Sequence, residues 1–206
     1  MTPISILEQF LQDNPDIEMF EVLLHDLNGV QRGKWLPRDK IHKVFTGGYK
    51  MPLSSCSLDC WGRDQEELIA ATGDADGICV PHPETLARVP WADKTTAQII
   101  VSMANETGDL PYAGDCRSVL QSVVDRFAEL GLTPVVASEM EFHLLSLDRD
   151  KFGVPQHTQT ALDGSPAIGG HTYGIDTMRD TAPLMDAIID ATKQQNLPVD
   201  TLITEF

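Results

Sequence analysis

The first forty residues change from a helical to a strand-like spacing of apolar side chains. Residues 4–12 carry apolar side chains at helical intervals, which predicts a short amphipathic helix that Asn14-Pro15 would end. Residues 18–25 are rich in apolar side chains and predict a strand, and residues 30–36 predict its returning partner. Between them, Asn28-Gly29 indicates a tight hairpin turn, because both residues tolerate positive φ angles.

In the middle of the chain the spacing of apolar side chains is less regular, and turn-forming residues are more frequent. Residues 37–45 predict a short helix that Gly47-Gly48 would stop, and residues 95–103 predict a β-rich run. Residues 49–94 contain several Gly and Pro residues and are predicted to be irregular. A further group of Gly and Pro residues within 105–115 predicts a domain boundary.

The second half of the chain returns to longer periodic segments. Asp115 is a good N-cap for the next helix, because its side chain can accept a hydrogen bond from a free amide of the first turn. The predicted elements are a helix at 117–130, a strand at 133–147, a loop at 148–175, a helix at 177–195 and a strand at 199–206. Helices and strands mixed in this way indicate an α+β protein.

The chain is strongly acidic, since 15 Lys and Arg residues against 31 Asp and Glu residues give a formal net charge of -16. Such a surface repels phosphate backbones and anionic lipids, so we expect no nucleic-acid partner and no membrane partner. No apolar run reaches the roughly 18 residues of a membrane span, and the N-terminus does not resemble a signal peptide. The four cysteines lack zinc-site spacing, so we expect reduced thiols and a cytoplasmic location.

Two glutamates stand out in the strand predicted at 133–147. Alternate residues of a strand face the same side, so Glu139 and Glu141 would point together out of an otherwise apolar segment. Two carboxylates so close repel each other unless a cation lies between them, and hard cations such as Mg²⁺ or Mn²⁺ suit carboxylate oxygens. A solvated face of an exposed strand explains the pattern equally well, so the pattern alone leaves both readings open.

Five segments together resemble the glutamine synthetase family, in the order in which that family has them. Glu139-Met140-Glu141 resembles the E-x-E motif that begins its metal site. The other matching segments are the hairpin Asp26-Leu27-Asn28-Gly29-Val30-Gln31-Arg32-Gly33-Lys34, Pro83-Glu84-Thr85-Leu86 with Val89-Pro90-Trp91, Gly114-Asp115-Cys116-Arg117-Ser118-Val119-Leu120, and Asp200-Thr201-Leu202-Ile203-Thr204-Glu205. Each match is weak alone, and their order makes the resemblance specific.

The resemblance implies a small N-terminal β-grasp domain with a leading helix at residues 1–106. Residues 107–206 would then form the first part of the catalytic α/β domain, an antiparallel sheet with helices. Glu141 and Glu205 would hold one Mg²⁺ or Mn²⁺ ion, and Glu139 would help hold the ion on the phosphates of ATP. The family's other ligands and its catalytic residues are expected beyond Phe206, so that the chain is truncated and residues 1–206 alone are inactive.

The resemblance also implies a reaction, in which ATP phosphorylates the γ-carboxylate of glutamate and an amine attacks the γ-glutamyl phosphate. Pro52-Leu53-Ser54-Ser55 lacks the aspartate that glutamine synthetases carry nearby, which favours a polyamine or small alkylamine over ammonia. Glutamine synthetase itself, or a non-catalytic family fragment or subunit, stays an alternative.

The resemblance further places Ser54, Ser55 and Trp61 in a substrate-entrance loop. A buried or interface tryptophan is an equally good interpretation of Trp61. The full-length protein is expected to form a homo-oligomeric ring, dodecamer-like in arrangement, because family members complete each active site with a neighbouring subunit.

Overall fold

A computed structural model describes residues 1–161, 163–168 and 171–205 of the chain. They form two compact units, Met1–Val135 and Val136–Phe206. The first unit is wider than the predicted N-terminal domain of residues 1–106, because the chain just after that boundary still packs on the N-terminal sheet: the Tyr112 amide donates to Met103 O at 2.9 Å. The predicted boundary between residues 106 and 107 stays a prediction.

The first unit contains four helices and six strands in its described residues. In chain order these are α1 (Pro3–Asp13), β1 (Met19–His25), β2 (Gln31–Pro37), α2 (His42–Phe45), β3 (Lys50–Pro52), α3 (Glu66–Thr72), β4 (Asp76–Pro81), β5 (Ala87–Arg88), β6 (Thr96–Met103) and α4 (Cys116–Glu129). Short 3-10 turns occupy Arg38–Lys40, Leu53–Cys56 and Pro83–Thr85.

The second unit, over its described residues, contains a two-stranded ribbon and two helices. These elements are β7 (Leu145–Arg149), β8 (Pro155–His157), α5 (Ile175–Asp180) and α6 (Ala182–Gln194). The strands β7 and β8 pair antiparallel. No helix in the described part of the chain is both long and apolar enough to cross a membrane.

The six strands of the first unit form one mixed sheet in the order β2-β1-β6-β4-β3, with β5 beside β6. Strand β1 pairs antiparallel with β2, bringing Val22 opposite Lys34, and parallel with β6, bringing Val22 opposite Ile99. The hairpin β1–β2 therefore lies at one side of the sheet, and β2 forms the edge of this strand order.

One face of this sheet carries the core, because alternate residues of a strand point to opposite faces. Phe20, Val22 and Leu24 of β1 are fully buried, while the residues between them are partly exposed. The amphipathic helix α1 contributes Leu7 and Leu11 to the same core. The helix predicted at 4–12 and the strand predicted at 18–25 therefore both contribute to this core.

Arg38 closes the C-terminal end of α1, where backbone carbonyls lack partners within the helix. Its guanidinium donates to Leu11 O at 2.6 Å, Asn14 O at 2.8 Å and Ile17 O at 3.1 Å. The planar guanidinium with its five N–H groups suits several acceptors at once. These three hydrogen bonds attach the C-terminal end of α1 and the residues after it to the residue that follows β2.

The sequence predictions for the first unit hold for its longest elements and are wrong for its shortest. The predicted helix at 4–12, the two hairpin strands, the strand at 95–103 and the helix at 117–130 are confirmed. The predicted helix at 37–45 is divided into a 3-10 turn and α2. The prediction that residues 49–94 are irregular is wrong, since they contain β3, α3, β4 and β5.

In the second unit the strand predicted at 133–147 is wrong over residues 133–144, which form no regular element. A strand needs a partner for its backbone groups, and only β7, at the end of the predicted strand, finds one. No strand forms over 199–205 either, and Phe206 lies outside the described residues. The loop predicted at 148–175 contains β8, and the helix predicted at 177–195 is broken at Thr181 into α5 and α6.

Candidate functional site

The turn that joins β1 to β2 differs from the predicted two-residue turn. Asp26 N donates to Val30 O at 3.1 Å, and Gly29 N donates to Asp26 O at 3.0 Å. Only Gly29 takes a positive φ within this turn, +73°, so Asn28 does not need the left-handed conformation. This geometry is that of a three-residue hairpin loop, in which a glycine at the last position supplies the positive φ.

A buried carboxylate organises this hairpin turn. Asp26 is 1% exposed, and its Oδ1 accepts hydrogen bonds from the amides of Asn28 at 2.8 Å and Val30 at 2.9 Å. Its Oδ2 accepts from Nε of Arg32 at 3.0 Å and from Nη2 of the same guanidinium at 2.8 Å. Four donors on one buried carboxylate satisfy both of its oxygens, which is the condition for burying a charge at low cost.

Asp26 makes the stability of the first unit depend on pH. Burial raises the pKa of its carboxyl, but the hydrogen bonds from Val30, Arg32 and Asn28 outweigh burial and hold the pKa below its ordinary 3.8. A carboxyl whose pKa is lower in the folded state stabilises it above the unfolded pKa. That contribution is lost as pH falls through the folded value.

We therefore expect Asp26→Asn to lower the free energy of unfolding by about 2–3 kcal/mol at pH 7, because charge-assisted hydrogen bonds are lost. The difference from wild type should shrink as pH falls below about 3.8, where the wild-type carboxyl also becomes protonated. Urea unfolding at a series of pH values measures this difference. Asp93→Asn, an exposed carboxylate, is the control. A difference that does not change with pH contradicts the prediction.

The predicted substrate-entrance residues lie on one segment that follows β3. Ser54 is buried in the 3-10 turn Leu53–Cys56, and its hydroxyl donates to Oδ1 of Asp74 at 3.0 Å. Ser55 is half-buried in the same turn. Trp61 is 78% exposed, so it is not buried within the chain, and the alternative of an interface tryptophan stays a prediction. On this segment the indole of Trp61 is therefore accessible to solvent, whereas Ser54 is buried.

Asp74, the partner of Ser54, was not predicted from the sequence. Asp74 takes a left-handed conformation, with φ of +52°, directly after Gly73 at φ +63°. A non-glycine residue with positive φ is uncommon, and aspartate is one of the few that tolerate it. The dipeptide Gly73-Asp74 was a turn signal, but nothing in the sequence pairs it with Ser54, twenty positions earlier.

The three predicted metal ligands lie in the second unit and are exposed. Glu139 and Glu141 belong to the irregular residues 133–144, so the alternation of a strand does not orient them. Glu205 follows Thr204, whose carbonyl accepts from the Tyr173 amide at 2.8 Å and whose hydroxyl donates to His171 O at 3.2 Å. These contacts attach the last described residues to the segment before α5.

The carboxylates suit a hard cation in chemistry but are not gathered around one position. Across residues 1–161, 163–168 and 171–205, no group of three or more His, Cys, Asp or Glu side chains is arranged to hold a metal ion. Mg²⁺ requires near-octahedral oxygen coordination, which scattered carboxylates do not supply. The described residues therefore do not fit a complete metal site, and the ligand roles of Glu139, Glu141 and Glu205 stay predictions.

Two of the four cysteines are unsuited to act as nucleophiles. All four are free, and Cys56 and Cys79 are fully buried. Burial raises the pKa of both thiols to about 12, so they are neutral at physiological pH. Because the thiolate is the reactive form, these two side chains act as packing groups.

The second half of the chain is similar to a known catalytic domain. Residues 113–206 match the family model for the glutamine synthetase catalytic domain. This match begins at the residues that lead into α4 and extends over the second unit.

Curated relatives extend the similarity to nearly the whole chain. A gamma-glutamylputrescine synthetase of Escherichia coli (strain K12) is 30% identical over 97% of this chain and 42% of its own length. A gamma-glutamylanilide synthase of Acinetobacter sp is 23% identical over 94% of this chain and 42% of its own length. A glutamine synthetase of Halobacterium salinarum is 28% identical over 65% of this chain and 28% of its own length. The chain spans less than half the length of these relatives.

Solved structures share the fold. The ADP complex of GmaS superposes with a TM-score of 0.60 and 21% identity, covering 91% of this chain and 38% of the other. A glutamine synthase homologue gives a TM-score of 0.63 and 14% identity, covering 92% of this chain and 41% of the other. The catalytic-domain match over residues 113–206 and the relatives that align along nearly all of its length make the chain similar to the glutamine synthetase family.

Proposed function

We propose that the chain is part of an ATP-dependent ligase that joins the γ-carboxylate of glutamate to an amine through a γ-glutamyl phosphate. The observation that carries the proposal is the 30% identity, over 97% of the chain, to a gamma-glutamylputrescine synthetase. The similarity to a gamma-glutamylanilide synthase points to the same bond with another amine. A polyamine or a small alkylamine is the proposed acceptor.

The proposed site residues divide between the two units. Glu139, Glu141 and Glu205 would contribute to holding Mg²⁺ or Mn²⁺, together with ligands from the rest of the protein. Such ions, when bound, neutralise charge on a transferring phosphoryl group. Ser54, Ser55 and Trp61 would line the entrance for the amine, which the exposed indole of Trp61 supports.

The proposed architecture is that of the family. Residues 1–106 would form a β-grasp domain, which the parallel pairing of β1 with β6 at the centre of the mixed sheet supports. Residues 107–206 would begin the catalytic domain, which the family match starting at residue 113 supports. The full-length protein would form a cytoplasmic homo-oligomeric ring, and sedimentation velocity tests its oligomeric state.

A second candidate is glutamine synthetase activity with ammonia. The similarity to a glutamine synthetase, which extends over 65% of the chain, favours it. The absence of an aspartate from Pro52-Leu53-Ser54-Ser55 weighs against it, although Asp74 lies beside Ser54. The choice between the two rests on the amine that the full-length protein accepts.

We expect full-length protein with ATP and glutamate to release phosphate faster with an organic amine than with ammonium. A steady-state assay over putrescine, methylamine, ethanolamine, aniline and ammonium measures kcat/KM for each, and mass spectrometry identifies the γ-glutamyl amide. We expect the preferred organic amine to exceed ammonium by at least about 10-fold, a difference of roughly 1.4 kcal/mol in transition-state stabilisation. A preference for ammonium supports glutamine synthetase, and no turnover with any amine supports a non-catalytic subunit.

A further inference from the structure

The hairpin turn, residues 26–32, is attached to the segment that carries Trp61. The Leu27 amide donates to Cys56 O at 3.0 Å, and Nδ2 of Asn28 donates to Leu58 O at 2.8 Å. These two hydrogen bonds connect a backbone group and a side chain of the hairpin to carbonyls about thirty positions later. Two contacts on successive residues fix the direction of the segment as well as its distance.

Residues 59–63, here named the Trp61 turn, are ordered by one side chain. Oδ1 of Asp59 accepts from the amides of Trp61 and Arg63, both at 2.8 Å. The Asp59 amide also donates to Arg63 O at 2.9 Å, which closes the turn. The backbone of Trp61 is therefore held in place while its indole is exposed to solvent.

The guanidinium of Arg32 lies at the base of the Trp61 turn. A Cβ atom added to Gly62 would lie 3.5 Å from Nη1 and 3.7 Å from Nη2 of Arg32. The same guanidinium is held by the buried carboxylate of Asp26. The hairpin turn thus places a guanidinium, itself held by Asp26, beside Gly62 of the Trp61 turn.

The hairpin turn also contacts the first residue of α4. The Cys116 thiol lies 3.6 Å from His25 O and 3.9 Å from Asp26 O, distances at which sulfur donates weak hydrogen bonds. Cys116 belongs to the residues that match the catalytic-domain family model. The hairpin turn therefore joins the Trp61 turn to the beginning of the catalytic-domain segment.

We infer that Asn28 and Arg32 are positioning residues, which hold the Trp61 turn so that the indole of Trp61 is presented to the amine substrate. The identity of that ligand rests on the proposed function. A turn whose backbone is already held needs little ordering when the ligand binds, and an indole face attracts a protonated amine. Asn28 acts through its contact with Leu58 O and not by touching the substrate.

The first test is hydrogen exchange of the full-length protein, comparing wild type with Asn28→Ala. The peptide spanning residues 57–64 is expected to exchange about five-fold faster in the variant, because the lost hydrogen bond normally opposes its local opening. Residues 97–101 of β6 are buried or partly buried in the sheet, and their exchange should not change. Gln31→Ala is the matched control, since Gln31 is exposed in the same hairpin and has no side-chain hydrogen bond among the described residues. Unchanged exchange over residues 57–64 overturns the inference.

The second test separates positioning from general stability through kinetics. Asn28→Ala and Trp61→Ala should each raise KM for the preferred amine about five-fold, with KM for ATP unchanged. The double variant should show little further effect, because both changes remove the same interaction. Independent, multiplying effects overturn the inference. Absence of ligase activity in the wild type overturns the proposed function instead, while the exchange experiment still decides whether Asn28 holds the turn.

Discussion

Replacing Gly33 with alanine is expected to destabilise the N-terminal sheet strongly. Gly33 lies in β2, opposite Leu23, and a Cβ atom at this position would lie 1.8 Å from Val22 O. The obstructing atom belongs to the backbone of β1, so it cannot move away as a flexible side chain would. The φ of +158° adds strain, because side chains other than that of glycine are disfavoured in this region.

The expected loss is a large fraction of the total stability. Overpacking typically costs about 1–3 kcal/mol, and a backbone conformation reserved for glycine costs a further 1–3 kcal/mol or so. A loss of about 2–6 kcal/mol results, against a total of roughly 5–15 kcal/mol for a typical domain. Separating β1 from β2 would relieve the clash, but would also expose the core residues of β1.

Urea unfolding followed by circular dichroism measures this loss. Gly47→Ala is the matched control, because Gly47 has a φ of +73° but no atom within 4 Å of an added Cβ. The control should lose only about 1–2 kcal/mol, the cost of a left-handed alanine. Equal losses in the two variants would show that the close approach to Val22 O contributes nothing.

Residues 1–206 without the rest of the protein are expected to have no measurable ligase activity. Glu139, Glu141 and Glu205 are exposed, and no cluster of three or more potential ligands forms within the described residues. The chain also spans only 42% of the gamma-glutamylputrescine synthetase that it resembles. Loss of one preorganised electrostatic group typically costs about 100- to 1,000-fold in rate, so the loss of several leaves no turnover.

The test compares purified residues 1–206 with the full-length protein. The measured quantity is phosphate release that depends on glutamate and an amine. Expression in a host that lacks its own synthetase removes contaminating activity. In the full-length protein, Glu141→Gln should lower kcat by about 100-fold or more, while Glu106→Gln, an exposed glutamate of the first unit, should leave kcat unchanged. Turnover by residues 1–206 alone would refute the expectation.

Elements whose stabilising contacts are close along the chain could be predicted before the structure was known. The helical apolar period of residues 4–12 predicts α1, the apolar run at 18–25 predicts β1, and the turn residues between β1 and β2 predict their pairing. Asp115 predicts the start of α4, where its Oδ2 accepts from the Ser118 amide at 3.1 Å. Each of these features rests on a local rule: a helical period, a strand alternation, a turn or a cap.

The tertiary structure alone decided the features that depend on partners distant in sequence. β4 is a strand because it pairs with β6, for example Cys79 with Met103. The six residues of β4, which end in Pro81, carry too weak an apolar pattern to predict a strand. Asp26 is buried because Arg32 and two backbone amides surround it. Residues 133–144 have the composition of a strand but form none, because backbone hydrogen bonds need a partner and no apolar pattern supplies one.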